Sequence, residues 1–204
     1  MNTSGAESTA VVDIVVKIGG GVLAHADHFD AAIAAIGAAG RNRRLLVVPG
    51  GGPFADTVRE MGRRIRLSDD AAHWMALLGM DQYAHLVAAR LAGSVLVTNR
   101  HEIAAALDAP VRQVPVLAPY RWLREADPLP HSWDVTSDSI AAWVAGQVGA
   151  RQLILVKPPG ATDAANRKMV DPYFTRALPT HVRPIIISAD QIGALRAALQ
   201  KGSA

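Results

Sequence analysis

The sequence predicts an α/β fold built on parallel strands, and three observations carry that expectation. β-branched runs recur along the chain with helical stretches between them, two of these runs end in glycine triplets, and each triplet leads into a helix. The 204 residues are 50% hydrophobic, enough for one sizeable domain or at most two tightly fused lobes. That content excludes a disordered or fibrous chain.

The elements follow in order. Residues 1–10 are small and polar and are expected to be disordered; they lack the positive stretch and apolar core of a secretory leader. Val11 to Val16 reads as a buried strand, ending in Lys17-Ile18-Gly19-Gly20-Gly21 before a helix that begins near Asp27. Leu45 to Val48 is a second strand, followed by Pro49-Gly50-Gly51-Gly52-Pro53. The helix after it tolerates Pro53 in its first turn, where that N–H would lack a partner anyway. Ser68-Asp69-Asp70 caps a long helix with Trp74, Met75, Leu78, Tyr83, Leu86 and Val87 on a broad apolar face, set against the sheet or a partner subunit. Strands are expected at Val95 to Val97 and Val114 to Leu117. A Pro- and Trp-rich loop then runs from Pro119 to Trp133, long enough to suggest function. Thr136-Ser137-Asp138 caps a helix that turns Ile140, Trp143, Val144 and Val148 inward. The chain closes with a strand at Leu153 to Val156, an irregular polar loop, a strand at Ile185 to Ile187 and a helix from about Asp190 to Gln200. No break in composition divides residues 11–204, which read as a single domain.

Charge and composition narrow the function. The formal net charge is only +3, and the Arg41-Asn42-Arg43-Arg44 cluster has no interleaved aromatics, so it reads as a solvated turn and gives nucleic acid no strong claim. No apolar run reaches the eighteen or so residues of a membrane span. The absence of cysteine excludes disulfides, iron–sulfur clusters, thiolate zinc and a cysteine nucleophile, and fits a cytoplasmic protein. The seven histidines show neither HExxH nor a paired carboxylate spacing, so no protein-built metal site is expected.

The chemistry lies in the glycine turns. A glycine-rich turn between strand and helix lets backbone N–H groups approach an anion, and the helix N-terminus adds positive potential. Gly19, Gly21 and Ala24 fit a dinucleotide spacing, but the second strand ends in Val48-Pro49-Gly50 where that motif needs an acidic residue. A Walker loop fails because Lys17 precedes the glycines. What remains is a lysine before one triplet and a second triplet at the end of the next strand: two anion cradles side by side.

Lys17-Ile18-Gly19-Gly20, Pro49-Gly50-Gly51-Gly52, Thr136-Ser137-Asp138-Ser139 and the strand Leu153 to Val156 ending in Gly160 occur in an order that resembles the amino acid kinase family, over nearly the whole chain. The resemblance implies a three-layer α/β/α sandwich around a mainly parallel sheet, with the acceptor in the half at about 11–133 and ATP, with Mg2+, in the half at about 134–204. It implies catalytic roles for Lys17, on the transferred phosphoryl group, and for Asp138, which holds that lysine. Gly19, Gly20, Gly21, Gly51, Ser137 and Gly160 would bind phosphate or nucleotide, and Gly50, Gly51 and Gly52 the acceptor. Fixed positive charge and amide donors suit phosphoryl transfer, which needs little covalent help. The resemblance also implies a homo-oligomer that moves a phosphoryl group from ATP to a small phosphorylated or carboxylated metabolite.

The chain also departs from the pattern. A hydroxyl residue is usual where Gly21 stands, and an acidic turn is usual where Lys157-Pro158-Pro159-Gly160 stands. Lys157 is therefore expected to replace a catalytic lysine that longer members place later, with Lys168 as the other candidate. His73-Trp74-Met75-Ala76, Met80-Asp81-Gln82-Tyr83 and Val170-Asp171-Pro172-Tyr173 resemble a short subgroup acting on an aminomethylfuran phosphate in one-carbon metabolism. There Arg59 and Arg63 would grip the acceptor phosphate, and Asp171 or Asp81 an aminomethyl group. Two other classes stay open: a non-catalytic nucleotide- or oxyanion-binding relative, and a nicotinamide-dependent dehydrogenase.

Overall fold

A computed structural model describes residues 12–161 and 169–200. Residues 1–10, expected to be disordered, lie outside this range, as does Lys168. Six strands form one wholly parallel sheet in the order β3-β4-β2-β1-β5-β6, comprising β1 (Ile14–Ile18), β2 (Leu45–Pro49), β3 (Ser94–Val97), β4 (Val114–Leu117), β5 (Gln152–Lys157) and β6 (Arg183–Ser188). The helices are α1 (Ala26–Gly40), α2 (Gly52–Ile65), α3 (Asp69–Arg90), α4 (Arg100–Asp108), α5 (Tyr120–Ala126), α6 (Ser137–Gln147), α7 (Phe174–Ala177) and α8 (Ile192–Gln200).

The central strands are continuous runs of Val, Ile and Leu because both faces are covered. Their period of two sorts the side chains into two cores. Ile14, Val16, Ile18, Val47 and Ile154 pack with α1 and α8, whereas Val15, Leu46, Val48, Leu153 and Leu155 pack with α4 and α6. This is the three-layer sandwich that the resemblance implied. Helix α3 contributes Leu77 and Met80 to the second core and Tyr83 and Val87 to the first. Its apolar face is thus covered by its own chain, leaving Leu78, 44% exposed, as the outward member.

Among the described residues, three short α-helices depart from the expected elements. Helix α4 begins at Asn99, whose side chain accepts from the Glu102 N–H at 2.9 Å while Glu102 accepts from the Thr98 N–H at 2.6 Å, so an Asn-x-x-Glu signal was present. Helix α5 lies inside what was expected to be a loop from Pro119 to Trp133, and the one-turn α7 follows Tyr173.

Candidate active site

Lys17 and Lys157 have the parity of Val15 and Leu155, so both point to the α6 side of the sheet. Strands β1 and β5 pair with Lys17 beside Leu155, which places Lys157 two positions further along the neighbouring strand. Asp138, in the first turn of α6, stands between them: Lys17 Nζ lies 2.8 Å from Oδ1, and Lys157 Nζ donates to Oδ2 at 2.6 Å. Lys17 and Asp138 are each only 4% exposed. Burial works against the Asp138 carboxylate, but the two ammonium groups outweigh it and hold the group below the usual carboxylate range. Lys157 is pulled below the ordinary lysine value by burial and then by the Lys17 charge, with Asp138 opposing.

The two glycine turns touch. Gly50 donates its N–H to the Ile18 carbonyl at 2.8 Å, and a β-carbon built on Gly20 would stand 2.3 Å from the Gly52 nitrogen. Gly52 has φ +56, a conformation glycine adopts freely, and it opens α2, whose first N–H groups have no partner within the helix. The turn after β1 is a short 3-10 helix, Gly20–Ala24. Not every amide expected to face an anion does so. Gly19 donates to the Val156 carbonyl at 2.8 Å, and the Gly50 N–H is held by Ile18, so Gly20, Gly21, Gly51 and Gly52 are left bordering the site. Buried Tyr83 packs beneath both turns, its hydroxyl 3.5 Å from the Gly19 carbonyl.

Those four glycines border a hollow of about 210 Å³, walled by Ala55, Ala72, Ala76, Leu77, Met80, Val135 and Ile140. Ser137, at the start of α6, also lines it. Its polar lining includes Arg59, Asp69, His73, Ser132 and Trp133. Arg59 pairs with Asp56 at 2.8 Å and lies 4.4 Å over the Trp133 ring, so two residues far apart in sequence form one wall. Arg63 does not join it: it is exposed and lies outside the hollow. His73 carries no motif of its own, but Asp69, His73, Ala76 and Met80 follow at helical spacing and mark one face of α3, a signal present in the sequence. Its ring stacks on His131 at 4.1 Å, and burial, then His131, lower its pKa to about 4 against the opposing Asp127 and Asp70. His131 is bonded at both ring nitrogens, to Asp70 and Asp127 at 2.8 Å each, which ties the loop before α6 to α3.

Three more expectations meet other surroundings. Gly160 has φ +73, and its N–H points to Asp190 at 3.4 Å. Asp81 accepts from the Tyr120 N–H at 3.0 Å, and burial raises its pKa. Asp171 is bonded to the start of α6, accepting from the Thr136 N–H at 2.9 Å, the Thr136 hydroxyl at 2.7 Å, the Ser139 N–H at 3.0 Å and the Ser139 hydroxyl. Its carboxylate is therefore occupied away from the hollow. The same bonds correct the expected local cap: Thr136 occupies the N-cap position, yet its side chain makes no cap hydrogen bond.

A wholly parallel α/β sandwich with two touching glycine turns and a Lys–Asp–Lys cluster on its central strands defines the class, and the comparisons agree with that fold. The model of the amino acid kinase family matches residues 14–158, and the chain belongs to that family. It is 28% identical over 117 residues to the [5-(aminomethyl)furan-3-yl]methyl phosphate kinase of Methanocaldococcus jannaschii, a match covering 56% of this chain. The chain spans about half the length of that curated relative, 51%. In fold it resembles the uridylate kinase of Archaeoglobus fulgidus, with a TM-score of 0.67 at 13% identity, covering 94% of this chain and 97% of that one. It also resembles the aspartate kinase of Synechocystis, with a TM-score of 0.56 at 14% identity, covering 88% of this chain and 39% of that one. Among the described residues no helix is long and apolar enough to cross a membrane.

Proposed function

We propose that this protein is an ATP-dependent phosphotransferase whose acceptor is a small phosphorylated or carboxylated metabolite, with [5-(aminomethyl)furan-3-yl]methyl phosphate as the first candidate. The observation that carries the reading is the single Asp138 carboxylate shared by Lys17 and Lys157 beside the two touching glycine turns. Two ammonium groups against one carboxylate leave net positive charge where a transferring phosphoryl group would gather negative charge. Kinship with the aminomethylfuran phosphate kinase supports the choice of acceptor.

In this reading the acceptor occupies the hollow between α2 and α3, its anionic end toward Gly51, Gly52 and Arg59, and ATP lies on the β5 and β6 side. An acceptor phosphate oxygen attacks the γ-phosphorus in line, the bond from that phosphorus to the bridging oxygen breaks, and ADP leaves as a diphosphate forms. The attacking oxygen is already anionic, so the step needs no general base. Asp138, engaged by both lysines, orients them. Lys17 neutralises the transferring group, Lys157 the developing charge on the leaving oxygens, and the Gly20 and Gly21 amides hold phosphate oxygens. Mg2+ would arrive on the triphosphate, neutralising its oxygens. Small side chains at Ala55, Ala72 and Ala76 leave a slot suited to a flat ring.

The test is to incubate the protein with ATP, Mg2+ and the aminomethylfuran phosphate and follow ADP and diphosphate. Turnover is expected. Turnover only with another phosphate or a carboxylate would replace the acceptor, and ATP binding without turnover on any of them would make the protein a non-catalytic relative.

A further inference from the structure

The most heavily bonded carboxylate near the lysines is not the one between them. Asp171 takes the N–H groups of Thr136 and Ser139 on one oxygen, together with the Thr136 hydroxyl, and the Ser139 hydroxyl on the other. Thr136 is the N-cap of α6 and Ser139 its third residue. A helix beginning Thr-Ser-Asp-Ser would ordinarily cap itself, the threonine hydroxyl accepting from the third N–H. Here a residue more than thirty positions away has taken both N–H groups, and the two hydroxyls donate to it as well.

One more bond, to the turn before α6, and apolar packing against α6 fix that segment. The Tyr173 N–H donates to the Asp134 carbonyl at 3.1 Å, and Phe174, 5% exposed, is buried in the same core as Ile140 and Val144. Asp138 lies between the two residues that Asp171 holds. With both of them fixed by Asp171, its side chain is aimed at the sheet, where it meets Lys17 on one oxygen and Lys157 on the other.

We propose that Asp171 is a positioning residue for phosphoryl transfer: by capping α6 from a distant point in the chain, it sets the one carboxylate that holds Lys17 and Lys157 in place. The proposal rests on the phosphotransferase reading for its kinetic consequence, though not for its geometry. Asp171 also adds a negative charge that favours the Lys157 ammonium.

Two variants separate charge from hydrogen bonding. Asp171→Asn keeps an acceptor oxygen for the two N–H groups and removes the charge, while Asp171→Ala removes every bond. In Asp171→Ala, kcat is expected to fall about 10- to 100-fold with both KM values within about threefold, the size of effect that lost positioning produces. The alkaline limb of the kcat profile should shift to lower pH in both variants, with most of kcat retained in Asp171→Asn. Wild-type kcat and an unmoved alkaline limb in folded Asp171→Ala would overturn the proposal. Should that variant fail to fold, the Asn variant and Thr136→Val, which deletes one bond, carry the same test. If the wild-type protein transfers no phosphoryl group, the phosphotransferase reading fails on its own. The positioning role is then read by NMR from the Asp138 carboxyl in Asp171→Ala against Asp171→Asn, which share the lost charge: a higher titration in Asp171→Ala is expected as its grip on the lysines loosens, and equal titrations refute the proposal.

Discussion

Gly20 and Gly52, thirty-two positions apart, press backbone to backbone: a β-carbon on Gly20 would lie 2.3 Å from the Gly52 nitrogen and 2.5 Å from its α-carbon. No flexible side chain can yield at that contact, so each turn holds the other in place. The paired amides of the site depend on this approach as much as on the chemistry of either loop.

Gly20→Ala should therefore separate the turns. Phosphoryl transfer is expected to fall at least about 100-fold, as when a preorganised oxyanion donor is lost, with a lowered melting temperature. Gly193→Ala in α8, where a β-carbon meets nothing within 4 Å, is the control and should leave activity unchanged. Equal activity in the two variants would refute the mutual support of the turns.

Removing Asp138 leaves the buried Lys17 ammonium and the half-buried Lys157 ammonium without their shared carboxylate. Asp138→Ala is expected to cost about 3–5 kcal/mol, as for a buried pair that loses one partner, read as a shift of the urea midpoint. The sign with pH follows from its depressed pKa. The contribution is complete above the unfolded carboxylate value of about 3.9 and is lost as pH falls from there through the folded value. Acid unfolding of wild type should show this loss and the Asp138→Asn variant should not.

Lys157 has a lowered pKa, so the folded state binds fewer protons than the unfolded one between that value and about 10.4, and stability rises with pH across the window. Activity runs the other way, because the ammonium form is the useful one. The alkaline limb of kcat is expected below the ordinary lysine range. Lys157→Ala should remove most of kcat, roughly 100-fold or more by analogy with other lost electrostatic donors, and full activity in that variant would exclude the assigned role.

His73, with its pKa near 4, stays neutral at pH 7. Because the folded value lies below the unfolded 6.5, stability should decline on acidification from about pH 6.5 toward 4. A His73→Gln variant should flatten that part of the profile in thermal melts taken at successive pH values.

On the acceptor side, Arg59→Ala or Trp133→Ala should raise the acceptor KM about tenfold, the scale of one exposed charge or stacking contact, without moving the KM for ATP. Arg63→Ala should change neither. An equal effect from Arg63 would mean that the acceptor sits elsewhere on α2.

Much of this was legible in one dimension because it depends on short spacings. The runs Val11 to Val16 and Leu45 to Val48 announce strands buried on both faces, the glycine triplets announce turns that close on backbone, and Lys17, placed before its triplet, excludes a Walker loop. Alternation puts Lys17 and Lys157 on one side of the sheet only once the register of β1 against β5 is known. Order along the chain was sufficient for the family, since a run of motifs in sequence needs no coordinates.

What only the tertiary structure decided is which partner each polar group takes. Arg59 and Arg63 are equivalent on paper, yet only one reaches Trp133. Asp171 reads as a ligand for an amine and is a helix cap, and Thr136 reads as that cap and donates to Asp171. Local propensity specifies what a residue can bond to, but an unpaired donor or carboxylate takes whatever the packed chain brings within about 3 Å, and that neighbour is set by the burial of apolar surface elsewhere.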